Sequence, residues 1–380
     1  MQSEGSTDRL ASGTIVAGRF VVDGSLGEGA SGVVYSARRS SDGVRVALKV
    51  IHRSVCYDEQ FTRRFEREAT ILKQLEGNHI VRLLDITVHD ELPVLVLEFV
   101  EGSSLETALR SGMPTIEHAV EITLQICAAL GAAHAGGFVH RDLKPGNVIV
   151  QGELGAVKVP MVWVVDFGLG KALHRDTPGI SMTDRDLILG TPEYMSPEQV
   201  RGDDVDHRGD IYAAGVILFE MLTGRVPYRA NTPMNTMTAH LHEAIPSARS
   251  VRPDRGISSA LEAVVARALA KDPADRYPTA RAFAEALAAA RPGAHVVAPR
   301  PVTAEDAQAL AEKDTELELR DAALEARQGA EIVQDKRDKA PAVQFGGPPS
   351  VSPTKRWLWI ALAVLLAIGA VVVGATMGSR

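Results

Sequence analysis

The 380-residue sequence predicts an α+β domain, mainly β in its first part and mainly α in its second, followed by a linker and a single C-terminal transmembrane helix. Three observations predict this arrangement. Runs rich in β-branched residues and bounded by turn signals dominate residues 19 to about 100, with one helical stripe among them. Helical periodicity dominates residues 105 to about 290. Residues 357–376 carry no charge and can cross a hydrocarbon core of about 30 Å as a helix.

The composition excludes some classes of protein. Hydrophobic residues make up 45% of the chain, which is enough for a sizeable core, and the mild net charge of −7 argues against a nucleic-acid partner, which needs clustered Lys and Arg. Cys56 and Cys127 lie far apart with no partner at metal-ligand spacing, so we expect a reducing compartment. Residues 1–18 are polar, which predicts a flexible tail and no secretory signal.

A glycine-rich hairpin is predicted near the start of the domain. Gly27, Gly29 and Gly32 precede a β-prone run at residues 33–37, whereas the glycines of a dinucleotide-binding loop lead into a helix. Glycine lets the backbone come close to phosphate oxygens without a side chain in the way. The hairpin can therefore cover a triphosphate.

The next strand and the helix after it carry opposite charges. The alternating run at residues 44–50 places Ala47 and Lys49 on one face, where a small side chain suits adenine and an ammonium suits phosphates. Spacings of 4, 3, 4 and 3 then form a helical stripe of Phe61, Phe65, Glu68, Leu72 and Leu75. A carboxylate that faces a core needs a cation, so Glu68 should be paired. A solvated Glu68 slightly off the stripe is the competing interpretation.

Five motifs follow one another in a fixed order over about 170 residues. They are the glycine-rich run at residues 27–34, Val46-Ala47-Leu48-Lys49, His140-Arg141-Asp142-Leu143-Lys144-Pro145-Gly146-Asn147, Asp166-Phe167-Gly168 and Ser196-Pro197-Glu198. In this order they resemble the signature set of protein kinases. The chain resembles a bacterial-type (eukaryotic-like) serine/threonine protein kinase over residues 19–288. The resemblance implies the two-lobed protein kinase fold, with a small mainly β N-lobe at about 19–100 and a larger mainly α C-lobe at about 101–288.

The resemblance implies that the N-lobe binds ATP. Lys49 would pair with Glu68, for which Glu66, off the stripe, is the alternative. Leu97 would be the gatekeeper beside the adenine. The implied ATP-binding residues are Leu26, Gly27, Glu28, Gly29, Ala30, Ser31, Gly32, Val34, Ala47, Lys49, Glu98 and Val100.

The resemblance also assigns catalytic roles in the C-lobe. Asp142 would orient and deprotonate the substrate hydroxyl, and Lys144 would neutralise charge on the transferring phosphate. Asn147 and Asp166 would hold Mg²⁺, for which Mn²⁺ is the alternative ion. Thr191 would lie beside Asp142 and Lys144 and help to select hydroxyl substrates.

Regulatory and structural roles are implied for further residues. Arg141 would meet a phosphate on an activation loop at about residues 169–195. The candidate phosphosites there are Thr177, Ser181 and Thr183. Structural roles are implied for Phe167, Gly168, Asp210, which would anchor the backbone of the catalytic loop, and Glu198, which would pair with Arg276.

The connection between Asn147 and Asp166 departs from the family pattern because it is longer than expected. It contains Gly152, Gly155 and Pro160, and we expect it to lengthen a turn between two strands. If it instead displaced Asp166, metal binding would weaken.

Residues 289–354 read as a Pro- and charge-rich juxtamembrane linker. Leu310, Leu317 and Leu324 hint at a coiled coil, but the second seam is poor, so a solvated helix is the better interpretation. Lys355 and Arg356 precede the apolar run 357–376, which places the kinase domain in the cytoplasm of a single-pass inner or plasma membrane protein. A buried core helix is the alternative. Residues 377–380 would form a short tail without a sensor domain.

Three functional classes compete. The first is a membrane-anchored kinase that acts on protein substrates, activated by autophosphorylation in a transient homodimer. The second is a pseudokinase scaffold, which typically lacks residues such as Lys49, Asp142 or Asp166. The third is a small-molecule kinase, against which the run at residues 190–198 argues because it resembles a peptide-positioning loop.

Overall fold

The computed structural model describes residues 9–29, 31–53, 56, 69, 72–167 and 191–291. All of them belong to the compact unit Met1–Val296. Nine β-strands and eight α-helices are defined within these ranges. The helices are α1 (Leu105–Ser111), α2 (Ile116–Ala135), α3 (Pro197–Arg201), α4 (Arg208–Thr223), α5 (Pro233–His242), α6 (Ala248–Val251), α7 (Ser259–Ala268) and α8 (Ala280–Ala289).

The first part of the domain is a six-stranded antiparallel sheet with the order β1-β2-β3-β4-β6-β5. Its strands are β1 (Ile15–Val16), β2 (Phe20–Gly29), β3 (Gly32–Arg39), β4 (Arg45–Ile51), β5 (Leu83–His89) and β6 (Leu92–Glu98). The alternation predicted for β4 is confirmed, because Val46, Leu48 and Val50 are buried in one cluster. Val44, the first residue of the predicted alternating run, is instead exposed and precedes the strand.

The prediction that residues 1–18 form a flexible tail is wrong for residues 9–18. Ile15–Val16 pairs with β2, and Leu10 packs against the core of the sheet. The segment is mostly polar, and the prediction overlooked its few apolar side chains, such as Leu10 and Val16, which pack on the sheet. Residues 1–8 lie outside the described residues.

The second part is built around two central helices. α2 and α4 contribute more buried side chains to the larger core than any other element, and α4 is buried nearly all round, in keeping with its almost continuous apolar sequence at residues 211–222. Among the described residues, α2 alone has the length and apolar composition of a membrane span, and most of it is buried against its neighbours. It therefore packs as a core helix. The apolar run 357–376 and the linker 289–354, apart from residues 289–291, lie outside the described residues.

A second, small sheet carries the catalytic segments. Its strands are β7 (Ser103–Ser104), β8 (Val148–Gln151) and β9 (Met161–Val164), paired antiparallel in that order. The long connection does lengthen the turn between β8 and β9, as predicted. The Gln125 side chain of α2 fastens it by donating to the Pro160 carbonyl at 3.0 Å and accepting from the Val162 amide at 2.9 Å. Because Val165 N–H still donates to the Asn147 carbonyl (3.0 Å), the insertion does not separate the two ends.

A buried ion pair joins α3 to the end of the domain. Both terminal nitrogens of Arg276 donate to the Glu198 carboxylate at 2.7 Å, and the two residues are 1% and 3% exposed. The remaining guanidinium protons are donated to backbone carbonyls, those of Arg208, Ala270 and Lys271. The predicted pair is therefore confirmed, and the charge of Arg276 is fully compensated.

We expect removal of this arginine to destabilise the domain strongly. Arg276→Met leaves the Glu198 carboxylate buried without its cation and should lower the free energy of unfolding by about 3–5 kcal/mol. Arg281→Met is the matched control, because Arg281 forms an exposed pair with Glu285 that contributes little to stability. Urea denaturation of both variants gives the comparison, and equal losses would contradict the expectation.

Candidate active site

Lys49 and Asp166 form an ion pair at the base of the site. β4 presents the Lys49 ammonium 2.8 Å from Oδ2 of Asp166, and the side chains are 11% and 31% exposed. Opposite charges at this separation and burial attract strongly, so each holds the other in place. Glu68 and the alternative Glu66 lie outside the described residues, and the predicted pair of Lys49 with Glu68 stays a prediction. The pairing with Asp166 was not foreseen from the sequence.

The glycine-rich hairpin forms as predicted from β2 and β3, in which Gly29 faces Gly32. The surroundings of the glycines differ from one position to the next. A Cβ on Gly32 would lie 2.2 Å from the Val50 carbonyl oxygen, so Gly32 permits the close approach of β3 to β4. A Cβ on Gly27 or Gly29 would meet nothing within 4 Å, so these positions face open space. Ala30 lies outside the described residues.

The adenine-side residues are brought together around β4 and β6. Ala47 pairs with Leu97, and Val34 pairs with Lys49. Glu98 donates its amide to the Arg82 carbonyl at 2.9 Å, and its carboxylate pairs with the Arg82 guanidinium. The chain leaves the sheet at Glu98 and continues through Val100, which is the arrangement expected of a connector between the lobes.

The catalytic loop places three predicted residues in direct contact. Lys144 Nζ lies 3.0 Å from Asp142 Oδ2. The Asn147 side-chain amide donates to the Asp142 backbone carbonyl at 2.8 Å and to its carboxylate at 3.3 Å. Asn147 sits in the short 3₁₀ turn Pro145–Asn147, directly before β8. The Asp142 carboxylate is thus oriented by a cation and an amide while its side chain stays partly exposed.

Asp210 anchors this loop, as the sequence predicted. It is 1% exposed, and its two carboxylate oxygens accept the His140 and Arg141 backbone N–H groups at 2.7 and 2.8 Å. Nε2 of His134 lies 2.8 Å from the same carboxylate. Asp210 also stands in the first turn of α4, where the helix dipole favours a negative charge.

His140 links the catalytic loop to the segment that carries Asp166. Its ring lies 2.9 Å from the Val165 carbonyl through Nε2 and 4.9 Å from the ring of the buried Phe167. Asp166 itself has a φ of 60° and Arg141 a φ of 61°, a region that such residues occupy at a cost. Arg141 directly precedes Asp142, and Asp166 directly follows Val165, which is hydrogen-bonded to Asn147, so both unusual backbone conformations lie next to predicted catalytic residues. Gly168 and the phosphosite candidates Thr177, Ser181 and Thr183 lie outside the described residues.

A cavity of about 10 Å³ lies beside the catalytic loop. Asp142, Lys144 and Thr191 all line it, so the predicted proximity of Thr191 is confirmed. The lining of this cavity also includes Arg141 and Gln199, whose contact was not predicted from the sequence. The Gln199 side-chain amide donates to the Arg141 carbonyl at 2.7 Å, while Ser196 and Gln199 form a capping box at the start of α3.

Two acidic side chains, Glu220 and Glu193, were also not predicted from the sequence, and Glu220 contacts Tyr194 in the lining of this cavity. The Tyr194 hydroxyl donates to Glu220 at 2.6 Å, and Glu193 lies 3.5 Å from Arg229. Burial, followed by the charge of Glu220, raises the pKa of Tyr194 well above its usual range, and burial raises the pKa of Glu220. No spacing signal in the sequence links Tyr194 to Glu220, which is 26 residues away on α4.

The side-chain oxygens of Asn147 and Asp166 are suitable ligands for a magnesium ion. Asn147 and Asp166 supply one amide oxygen and one carboxylate, and the bond between Val165 and Asn147 keeps their segments adjacent. Mg²⁺ is usually held in this way, by one or two carboxylates together with substrate phosphates. The Lys49 ammonium lies beside these groups, 2.8 Å from the Asp166 carboxylate.

Comparison with known proteins agrees with this geometry. The signature of the protein kinase domain family matches residues 20–287. The chain is 38% identical over 279 residues to the serine/threonine-protein kinase Pkn3 of Myxococcus xanthus, covering 73% of this chain and 51% of that protein. It is 30% identical over 361 residues to the serine/threonine-protein kinase PrkC of Bacillus subtilis, covering 93% of this chain and 52% of that protein. The chain therefore spans about half the length of these relatives.

Solved structures give the same result for the fold. The kinase domain of PknI from Mycobacterium tuberculosis superposes with a TM-score of 0.57 at 27% identity, covering 74% of this chain and 100% of that domain. Rad53 in complex with AMP-PNP superposes with a TM-score of 0.57 at 25% identity, covering 70% of this chain and 64% of that one.

Proposed function

Since the chain belongs to the protein kinase domain family, and within it to the bacterial-type serine/threonine kinases, we propose that it transfers the γ-phosphate of ATP to serine and threonine hydroxyls of proteins. One observation carries the proposal: Asp142, Lys144 and Asn147 are in mutual contact, one backbone hydrogen bond from the Asp166 segment. These residue types in contact fill the roles that phosphoryl transfer requires.

Each side chain has a defined task in this reaction. The Asp142 carboxylate accepts the proton of the substrate hydroxyl, and its orientation is held by Asn147 and Lys144. The ammonium groups of Lys49 and Lys144 receive negative charge on the phosphates. Asn147 and Asp166 would hold Mg²⁺, or Mn²⁺ in its place, and the bound ion would supply electrostatic stabilisation of the phosphate oxygens. ATP as the phosphate donor is supported by the structural neighbour in complex with AMP-PNP.

The first test measures phosphate transfer by the full chain with ATP and Mg²⁺. Asp142→Asn should lower the rate of incorporation by about 10²- to 10⁴-fold, because it removes the proton acceptor. ATP binding should persist. Asp203→Asn is the control, since that carboxylate pairs with Arg201 at the surface of the C-lobe.

Mapping of the phosphorylated residues separates the competing functions. Phosphoserine and phosphothreonine support the proposal. A wild-type chain that binds ATP without transferring phosphate would favour a scaffold, and transfer to small molecules alone would favour the third class.

We further propose that autophosphorylation of the activation loop raises activity. A phosphate on Thr177 or Thr183 would form a charge-assisted pair with Arg141 and order the loop beside Asp142. Thr177→Ala/Thr183→Ala should lower the rate toward that of phosphatase-treated wild type, with Ser181→Ala tested alongside. Full activity in the double variant would contradict the proposal.

Formation of a transient homodimer predicts a rate per molecule that rises with enzyme concentration.

Membrane anchoring is the third part of the proposal. Residues 357–376 would span an inner or plasma membrane once, with the linker 289–354 and the kinase domain on the cytoplasmic side, supported by Lys355 and Arg356 before the apolar run. The full chain should sediment with membranes and resist carbonate extraction. Leu365→Lys/Gly369→Lys should release it, because each charge at the centre costs about 2.5–3.5 kcal/mol. A wild-type chain found in the soluble fraction would contradict anchoring.

A further inference from the structure

The segment before β1 reaches the glycine-rich hairpin along the surface of the sheet. Gly13 N–H donates to the Val22 carbonyl at 2.8 Å, and Val22 N–H donates to the Thr14 carbonyl at 3.0 Å. One residue before the segment's first turn, the Leu10 amide donates to the hydroxyl of the buried Tyr35 at 3.0 Å. These contacts fix residue 10 to β3, so the position of Arg9 is set by the sheet.

Arg9 contacts the residue between the first two glycines. Its guanidinium donates to Oε2 of Glu28, and the other carboxylate oxygen, Oε1, lies 3.8 Å from Nε2 of His52. The same imidazole nitrogen lies 3.2 Å from the Gly29 carbonyl oxygen. We call Arg9, Glu28 and His52 the loop clasp.

His52 also holds the other side of the hairpin. Its backbone N–H donates to the Ser31 carbonyl at 3.1 Å. His52 directly follows β4, the strand that carries Lys49. The clasp therefore joins both arms of the hairpin tip to the strand that presents the phosphate-binding ammonium.

The backbone of the hairpin tip is paired with β3, from Gly27 with Val34 to Gly29 with Gly32, and the loop clasp adds side-chain contacts to this pairing. Residues 25–29 are exposed, and the positions of Gly27 and Gly29 open onto empty space. A loop that is ordered before its ligand arrives loses less conformational entropy on binding. In addition, a carboxylate at the tip of a phosphate-covering loop would repel a triphosphate unless a cation offset its charge. Arg9 supplies that cation.

From these contacts we propose that Arg9 and His52 are positioning residues for ATP binding, which act through Glu28 and Gly29 on the glycine-rich hairpin. The inference rests on the proposed use of ATP. It assigns a function to the segment preceding β1, which touches neither the catalytic loop nor the cavity at Asp142. The effect falls on the affinity for ATP and leaves the affinity for the protein substrate and the chemical step untouched.

The test compares ATP affinity by direct titration and by KM in the full chain. Arg9→Gln should weaken ATP binding and raise KM for ATP by about two- to fivefold, the range that a partly exposed ion pair supports. Its kcat and its KM for a peptide substrate should stay at the wild-type values, and Arg9→Lys should restore most of the affinity. His52→Ala should weaken ATP binding in the same sense.

Two comparisons separate positioning from a general effect on the sheet. In a Glu28→Gln background, Arg9→Gln should have no further effect, because the carboxylate that it contacts is already neutral. Arg38→Gln is the matched control, since Arg38 pairs with Asp23 at 3.3 Å in the same sheet, away from the hairpin tip. Its ATP affinity should equal that of the wild type.

Four results would each overturn the inference. They are wild-type ATP affinity in Arg9→Gln, an equal loss in Arg38→Gln, a loss from Arg9→Gln that persists in the Glu28→Gln background, and wild-type affinity in His52→Ala. A wild-type chain that binds no ATP would overturn the proposed function as well. A wild-type chain that binds ATP and transfers phosphate, with any of the four results, would overturn the inference alone.

Discussion

The position of the catalytic loop depends on its hydrogen bonds to the buried carboxylate of Asp210. Burial of a charge costs several kcal/mol unless it is compensated, and here two backbone amides, the His134 ring and the start of α4 compensate it. Hydrogen bonds to a charged group contribute about 1.5–3 kcal/mol each, so the loop is held firmly at His140 and Arg141. Asp142 follows in the chain, and its direction is therefore set from the core of the C-lobe.

From this anchor, a chain of contacts reaches the segment that carries Asp166 and the start of α3. The His140 ring reaches the carbonyl of Val165, and the Val165 amide returns to Asn147, which orients Asp142. Gln199 binds the Arg141 carbonyl and joins the loop to α3. α3 is in turn fixed by the Glu198–Arg276 pair. The buried Glu198–Arg276 pair thus supports the position of Asp142 indirectly, through Gln199 and the Arg141 carbonyl.

The site also contains a pair of opposite charges and two residues with strained backbone conformations. Lys49 and Asp166 neutralise each other at 2.8 Å, and Asp166 and Arg141 both adopt left-handed backbone conformations. Residues in such conformations persist when their surroundings impose them, and here the surroundings are the hydrogen bonds to Asp210, Val165 and Asn147. ATP with its metal ions brings a negative charge for Lys49 and a positive charge for Asp166. Lys49 could therefore release Asp166 to bind a phosphate, and Asp166 could release Lys49 to bind a metal ion.

Local spacing in the sequence was enough to predict the mainly β first part and the mainly α second part, the glycine-rich hairpin, the buried face of β4, and the placement of Asp142, Lys144 and Asn147 in one short segment. These features follow from local spacing, because a β-strand alternates every two residues and a short motif keeps its members within a few ångströms. The Glu198–Arg276 pair and the anchor at Asp210 came from the resemblance to a family, since 78 and 70 residues separate the partners.

Contacts between side chains that are distant in the sequence follow from tertiary packing alone. The pairing of Lys49 with Asp166, of Tyr194 with Glu220 and of Gln199 with the Arg141 carbonyl joins elements whose spacing carries no signal of contact. The same holds for residues 9–18, whose polar composition predicts a flexible tail. Their order comes from backbone hydrogen bonds to β2 and from the packing of Leu10 on the sheet, interactions that exist only after the sheet has formed.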